Sequence, residues 1–187
     1  MEREKAYAIL RKYMQAEHLL KHSVAVEIAV RAYAEKFGED VNYWGTVGLL
    51  HDIDFEKYPD EHLLHSREIL LNEGFEENFV TDVLSHALDW DKERTLLQKT
   101  LYACDPMTGF IIACARVRPD KSLEALQVSS VVKKMKDGAF ARSVNRENLH
   151  KGAAELGMDI KEHIDFVRKA LADKINVQPY AELKFLG

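Results

Sequence analysis

Cysteine is scarce in this chain, with two residues, Cys104 and Cys114, among 187. Ten positions along a helix put them on different faces and about 15 Å apart, which argues against a disulfide between them. They read as buried thiols in a reducing compartment, so the expected location is cytoplasmic. Long apolar runs are missing too: none approaches the ~20 residues that cross a bilayer. No apolar stretch follows the charged start Met1-Glu2-Arg3-Glu4-Lys5, so no signal peptide is expected. Strict alternation of apolar and polar residues, the mark of a half-buried strand, does not stand out anywhere. Nothing resembles a linker, a repeat or a low-complexity tract. Basic runs interleaved with aromatics are lacking and the net charge is −5, which disfavours nucleic acid as a partner.

What is present is an ordinary globular composition, 47% hydrophobic and 30% charged, in a chain long enough for one domain with a sizeable core. The charge is uneven. Residues 115–151 carry nine Lys/Arg against four acids, a balance of +5, so the rest of the chain stands at −10. That segment reads either as a solvated surface or as an anion-attracting patch beside an acidic half.

Helical periodicity dominates, and the expected class is all-α in a single domain, residues 1–187. Its core is expected at about 18–115, with a helical extension over 116–176 and a tail over 177–187 that packs on the body or frays. The first helix is expected over about Glu2–Met14, and the second ends at Gly38. Asp40 caps a third that runs to His51-Asp52. A loop covers Phe55–Pro59. Asp60 then precedes a helix that ends at Gly74, and Glu76–Leu88 forms the next. Asp91 is the expected cap for the following helix, and Pro106 is expected to kink or restart it. Later helices are expected over Thr108–Arg116, Ser129–Lys136, Asn145–Leu156 and Asp159–Lys174, the last with a capping box from Asp159 and Glu162.

Within this pattern His51-Asp52 closes an apolar stretch, Val47-Gly48-Leu49-Leu50. One imidazole nitrogen and one carboxylate oxygen suit a divalent metal of intermediate hardness such as Mn, Fe, Co, Ni or Zn. Adjacent residues project about 100° apart on a helix, so they share a metal only where the helix ends. His22 lies among Val26, Ala29 and Val30, and a buried imidazole needs a hydrogen-bond partner or a metal. Asp105 follows Leu101, Ala103 and Cys104, apolar company in which a carboxylate has the same need. His62 and His65 lie one helical turn apart, and His86 follows them. His150 and His163 read as surface residues.

The order His22, His51-Asp52, His62, His86, Asp105 resembles the HD superfamily of metal-dependent phosphohydrolases. Gly48-Leu49-Leu50-His51-Asp52-Ile53 looks like that family's entry into its His-Asp pair. The segment from His62 to Gly74 looks like its next helix, whose register favours His62 over His65. Ala103-Cys104-Asp105 looks like its final aspartate. The resemblance covers about residues 18–115 and implies an HD-domain helical bundle. It also implies that His22, His51, Asp52, His62, His86 and Asp105 hold one or two divalent ions, Mg being added to the metals above. The family's His-Asp-Ile-Gly-Lys here reads His51-Asp52-Ile53-Asp54-Phe55. Its lysine is missing, with Lys57 as the residue that could reach in from the loop.

The implied chemistry is hydrolysis of a phosphate ester by metal-activated water, on a nucleotide or other small phosphorylated molecule. Arg118, Lys121 and Lys57 are candidates for the cation on the phosphate. Asp54, His65 and Glu61 are candidates for the acid that protonates the leaving group. Two alternatives accompany this reading: an HD-type di-iron oxygenase with a similar donor set, and a non-catalytic metal-bound module that senses a nucleotide.

Overall fold

The computed structural model describes residues 1–187 and contains nine α-helices, two short 3-10 helices and no strand. The chain falls into two compact units, Met1–Tyr102 and Ala103–Gly187. The division lies within one helix, inside the stretch expected as the core.

The first unit holds α1 (Arg3–Tyr13), α2 (Glu17–Phe37), α3 (Val41–Leu50), α4 (Ser66–Asn72), α5 (Glu77–Leu84) and the start of α6 (Leu96–Arg116). Its centre is α2, where Leu20, Val24, Ala25, Val26, Ile28, Ala29, Val30, Tyr33 and Ala34 are all buried. Each large aliphatic side chain so buried stabilises the fold by ~1.5–3 kcal/mol. Gly38 ends α2 in the left-handed region at φ 74°, a conformation that glycine adopts without penalty. Asp40 caps α3 by accepting from the N–H groups of Asn42 and Tyr43. The two helices meet backbone to backbone at Gly48. A Cβ there would stand 3.2 Å from Val30 Cβ and 3.3 Å from Glu27 Cα.

Two helix starts are held by carboxylates from elsewhere in the chain. At α2, Glu56 Oε2 accepts from the N–H groups of Gln15 and Ala16 at 2.7 and 2.8 Å. At α4, Asp54 Oδ2 accepts from Ser66 N at 3.1 Å and His65 N at 3.3 Å. The helix expected directly after Asp60 therefore begins five residues late, at Ser66. Residues 59–61 form a 3-10 turn, Leu63 is left-handed at φ 72°, and Leu64 is exposed. The helix α5 stops at Leu84, leaving His86 in the turn beyond it. At α6 the cap is Thr95, not Asp91: Thr95 and Gln98 exchange side-chain and backbone hydrogen bonds, a capping box.

The second unit holds the rest of α6, α7 (Val128–Met135), α8 (Arg146–Glu155) and α9 (Ile160–Lys174), with α7 and α8 both packing on α9. Of the kink or restart expected at Pro106, the restart does not occur: α6 runs on through it. An interior proline costs a helix ~3 kcal/mol, through a lost hydrogen bond and a ring clash. Burial of Leu101, Cys104, Met107, Phe110 and Ile111 along the same helix offsets that cost. Asn145 and Asp159 cap α8 and α9. His163 is fully buried rather than on the surface, with Nε2 3.1 Å from the Ala103 carbonyl. The C-terminal segment packs: Tyr180 and Phe185 are buried, and the Phe185 carbonyl accepts from Arg116. Cys104 and Cys114 are free and buried. No helix is long and apolar enough to cross a membrane.

Candidate metal centre

Four histidines of the first unit converge on one carboxylate. Asp52 Oδ2 lies 3.3 Å from His51 Nε2 and 3.5 Å from His22 Nε2. Asp52 Oδ1 lies 3.2 Å from His62 Nε2 and 3.5 Å from His86 Nε2. The nitrogens of His62 and His86 are themselves 3.4 Å apart. His51, Asp52 and His86 are buried, and the side chains of His22 and His62 are each 25% exposed.

The elements explain the convergence. His22 projects from the first half of α2. The helix α3 ends at Leu50, and His51 is its C-cap in helical backbone at φ −58° and ψ −37°, with Asp52 next in the turn beyond it. That turn also fixes the ring of His51, whose Nδ1 donates to the Gly48 carbonyl at 2.9 Å. His86 repeats the device beyond α5, with Nδ1 on the Val83 carbonyl at 2.6 Å. A carbonyl only accepts, so Nδ1 carries a proton in both rings and Nε2 is the nitrogen left to face Asp52. His62 lies outside any helix, and its Nδ1 donates to Asp54 Oδ1 at 2.9 Å.

The charges are correspondingly shifted. Burial pushes the Asp52 carboxyl up, but the charge and hydrogen bond of His51 and the bonds to His62 and His86 outweigh it. The group is held well below the usual carboxylate range. Burial likewise raises Asp54, while His62 and the N–H groups of Ser66 and His65 bring it below its ordinary value. Burial would lower His62, but Asp52 and Asp54 raise it to about 9.

The donor set fits a metal. Two ligand atoms each ~2.1 Å from a tetrahedral ion stand about 3.4 Å apart, and the spacings above run from 3.2 to 3.5 Å. Donor atoms of His51, Asp52 and His86 all lie within 4.8 Å of one another. Imidazole with carboxylate suits first-row transition ions better than an all-oxygen shell would. Each ring held by a second hydrogen bond is the usual support for a metal-binding histidine. Residues 19–109 match the family model of the HD domain. The residues that converge here are those by which the chain resembles that family, and an all-helical bundle is the fold an HD domain has. No curated protein and no solved structure matches the chain.

Other expected residues have different surroundings. Asp54 is fully buried, with one oxygen on His62 and the other on two backbone N–H groups. It is in no position to hand a proton to a leaving group. Lys57, anchored beside Glu56, carries its ammonium over the Tyr13 ring at 4.8 Å, not toward Asp52. His65 stacks on Tyr58 at 3.8 Å and holds Glu61 Oε2 with Nε2 at 2.7 Å. Asp105 lies half-buried on the part of α6 that belongs to the second unit. Arg118 and Lys121 are also in the second unit. There Arg118 grips Asp120 through two nitrogens and, with Lys133 and Lys134, borders a cavity of about 340 Å³. Lys121 is exposed.

Sequence reasoning passed over three supporting residues. Arg94 is buried and donates to the carbonyls of Ser85 and Ala87, the two neighbours of His86. Asp82 accepts from Tyr43 Oη at 2.8 Å and from Gln98 Nε2 at 2.7 Å, tying α3, α5 and α6 together. Glu56 sets the start of the helix that carries His22. None of the three stands out in the sequence, because charged residues are mostly exposed.

Proposed function

We propose that this HD domain is a metal-dependent phosphohydrolase that cleaves a phosphate ester of a nucleotide or other small phosphorylated molecule. The observation that supports it is the division of four histidine nitrogens between the two oxygens of Asp52. That division favours two ions over one. His22 and His51 would hold an ion on the Oδ2 side and His62 and His86 one on the Oδ1 side, with Asp52 shared between them. The family's order supplies Asp105 as a further ligand. When bound, the metal supplies hydroxide near neutral pH and an electrophile for the phosphoryl oxygen.

The chain's own residues carry the remaining work. Asp52 orients two sets of imidazoles at once. The carbonyls of Gly48 and Val83 keep the protons of His51 and His86 on Nδ1, so that Nε2 faces inward. With Asp54 occupied, the proton for the leaving group is assigned to His65, whose Nε2 is held by Glu61. Lys121 is the proposed cation for the substrate phosphate, on the strength of the basic segment that carries it.

Metal analysis of the purified protein, followed by a phosphatase screen of nucleotides and sugar phosphates, tests this reading with Asp52→Ala as control. Turnover that vanishes with both the metal and Asp52 is the expected result. A mixed-valent iron signal in spin resonance without phosphatase turnover would move the reading to the oxygenase. Tight nucleotide binding without turnover under any metal would move it to the sensor.

A further inference from the structure

We infer that Asp54 is a positioning residue: its buried carboxylate stands in for a missing helix and aims His62 at Asp52. The inference rests on the two-ion reading above and assigns one residue's part in it.

The three inward rings whose Nδ1 partners are known use two different devices. His51 and His86 each follow a helix, and each finds a carbonyl three residues back to hold its Nδ1 proton. His62 follows a single 3-10 turn, in extended backbone at φ −51° and ψ 134°, with left-handed Leu63 after it. A ring on such a segment has no helical carbonyl at the right height. Asp54 supplies the acceptor instead, with Oδ1 2.9 Å from Nδ1. Its other oxygen takes the backbone N–H groups of His65 and Ser66. One side chain thus pins the ring and, three and four residues later, the backbone beyond it. The ring also meets Phe55 edge-on at 5.1 Å and the His86 ring at 5.5 Å, but neither holds its Nδ1. A carboxylate partner also makes the imidazole a stronger donor at Nε2 than a carbonyl partner does, and loss of such a partner typically weakens metal affinity 10–100-fold.

Asparagine at position 54 separates these duties. Its amide oxygen can accept from His62 or from the two backbone N–H groups, while its NH₂ group opposes whichever set remains. The test is a competition titration of wild type and Asp54→Asn with Zn²⁺ and Co²⁺, alongside metal counting. The expected result is one ion held as in wild type and the other weakened 10–100-fold. Two ions held at wild-type affinity would overturn the inference, and so would equal weakening of both, which marks Asp54 as loop scaffold only. Wild type that binds fewer than two ions would sink the two-ion reading instead.

Nitrogen-15 NMR of the histidines then decides Asp54 by itself and needs no variant to fold. The Nδ1 proton of His62 in the wild-type protein is expected to be protected from exchange by its bond to Asp54. Rapid exchange of that proton overturns the inference under either metal count.

Discussion

Asp52 turns Oδ2 toward Nε2 of His51, its immediate neighbour in sequence, at 3.3 Å. His51 is the C-cap of α3 and Asp52 follows it in the turn beyond, where the two side chains meet. The consequences can be measured.

Single substitutions in the cluster are expected to remove metal in a pattern. Asp52→Ala loses all bound metal, since both oxygens are engaged. His62→Ala or His86→Ala keeps the ion on the His22/His51 side and loses the other. Elemental analysis of dialysed protein reads the count, and an Asp52→Ala protein with wild-type metal content would refute the bridging role.

The chelated protein is expected to lose stability as pH rises through the range above neutrality. His62 has a folded value of about 9, above its ordinary 6.5. Its contribution is thus fully present below 6.5 and disappears as pH climbs past 9. Thermal melts in chelator from pH 6 to 10 read this, with His62→Gln flattening the slope. The same proton competes with metal, so loading at pH 7 should release protons that calorimetry in buffers of different ionisation heat can count.

Gly48→Ala should destabilise the first unit by roughly 1–3 kcal/mol, the usual cost of forcing atoms into a close-packed contact. The new methyl meets Val30 and the α2 backbone at 3.2–3.3 Å. Denaturant unfolding gives the value, and an unchanged midpoint would show that α2 and α3 can separate freely.

Glu56→Ala should cost about 1 kcal/mol, the usual net worth of a hydrogen bond, because the N–H groups of Gln15 and Ala16 just before α2 lose their acceptor. Since His22 lies on that helix, the variant should also bind metal more weakly. Wild-type stability together with wild-type metal affinity would remove Glu56 from the account.

Much of this centre could be read from the sequence because its donors interrupt apolar runs. His22 sits among valines and alanines, and His51-Asp52 ends a run of buried residues. In such company a polar side chain announces itself. The caps at Asp40 and Asp159 are legible for a similar reason: each acts on the helix that immediately follows it.

What could not be read came from side chains acting at a distance. The start of α4 was misplaced because its cap comes from Asp54, twelve positions before Ser66. The cap expected at Asp91 is displaced by Thr95, which exchanges bonds with Gln98. Pro106 obeys its local rule only until burial on both sides outweighs it. His163, with Glu162 and Asp165 nearby in sequence, looks like a surface residue until it meets one carbonyl in the interior.

The donors around Asp52 come from positions 22 to 86, on segments that share nothing until the chain has collapsed. A denatured chain therefore offers an ion a handful of unrelated groups, and the native one offers a finished cage. An ion that binds only the native form at a hundred times its dissociation constant adds about 2.7 kcal/mol to the folded state. The melting temperature of this protein should accordingly act as a gauge of how much free metal surrounds it.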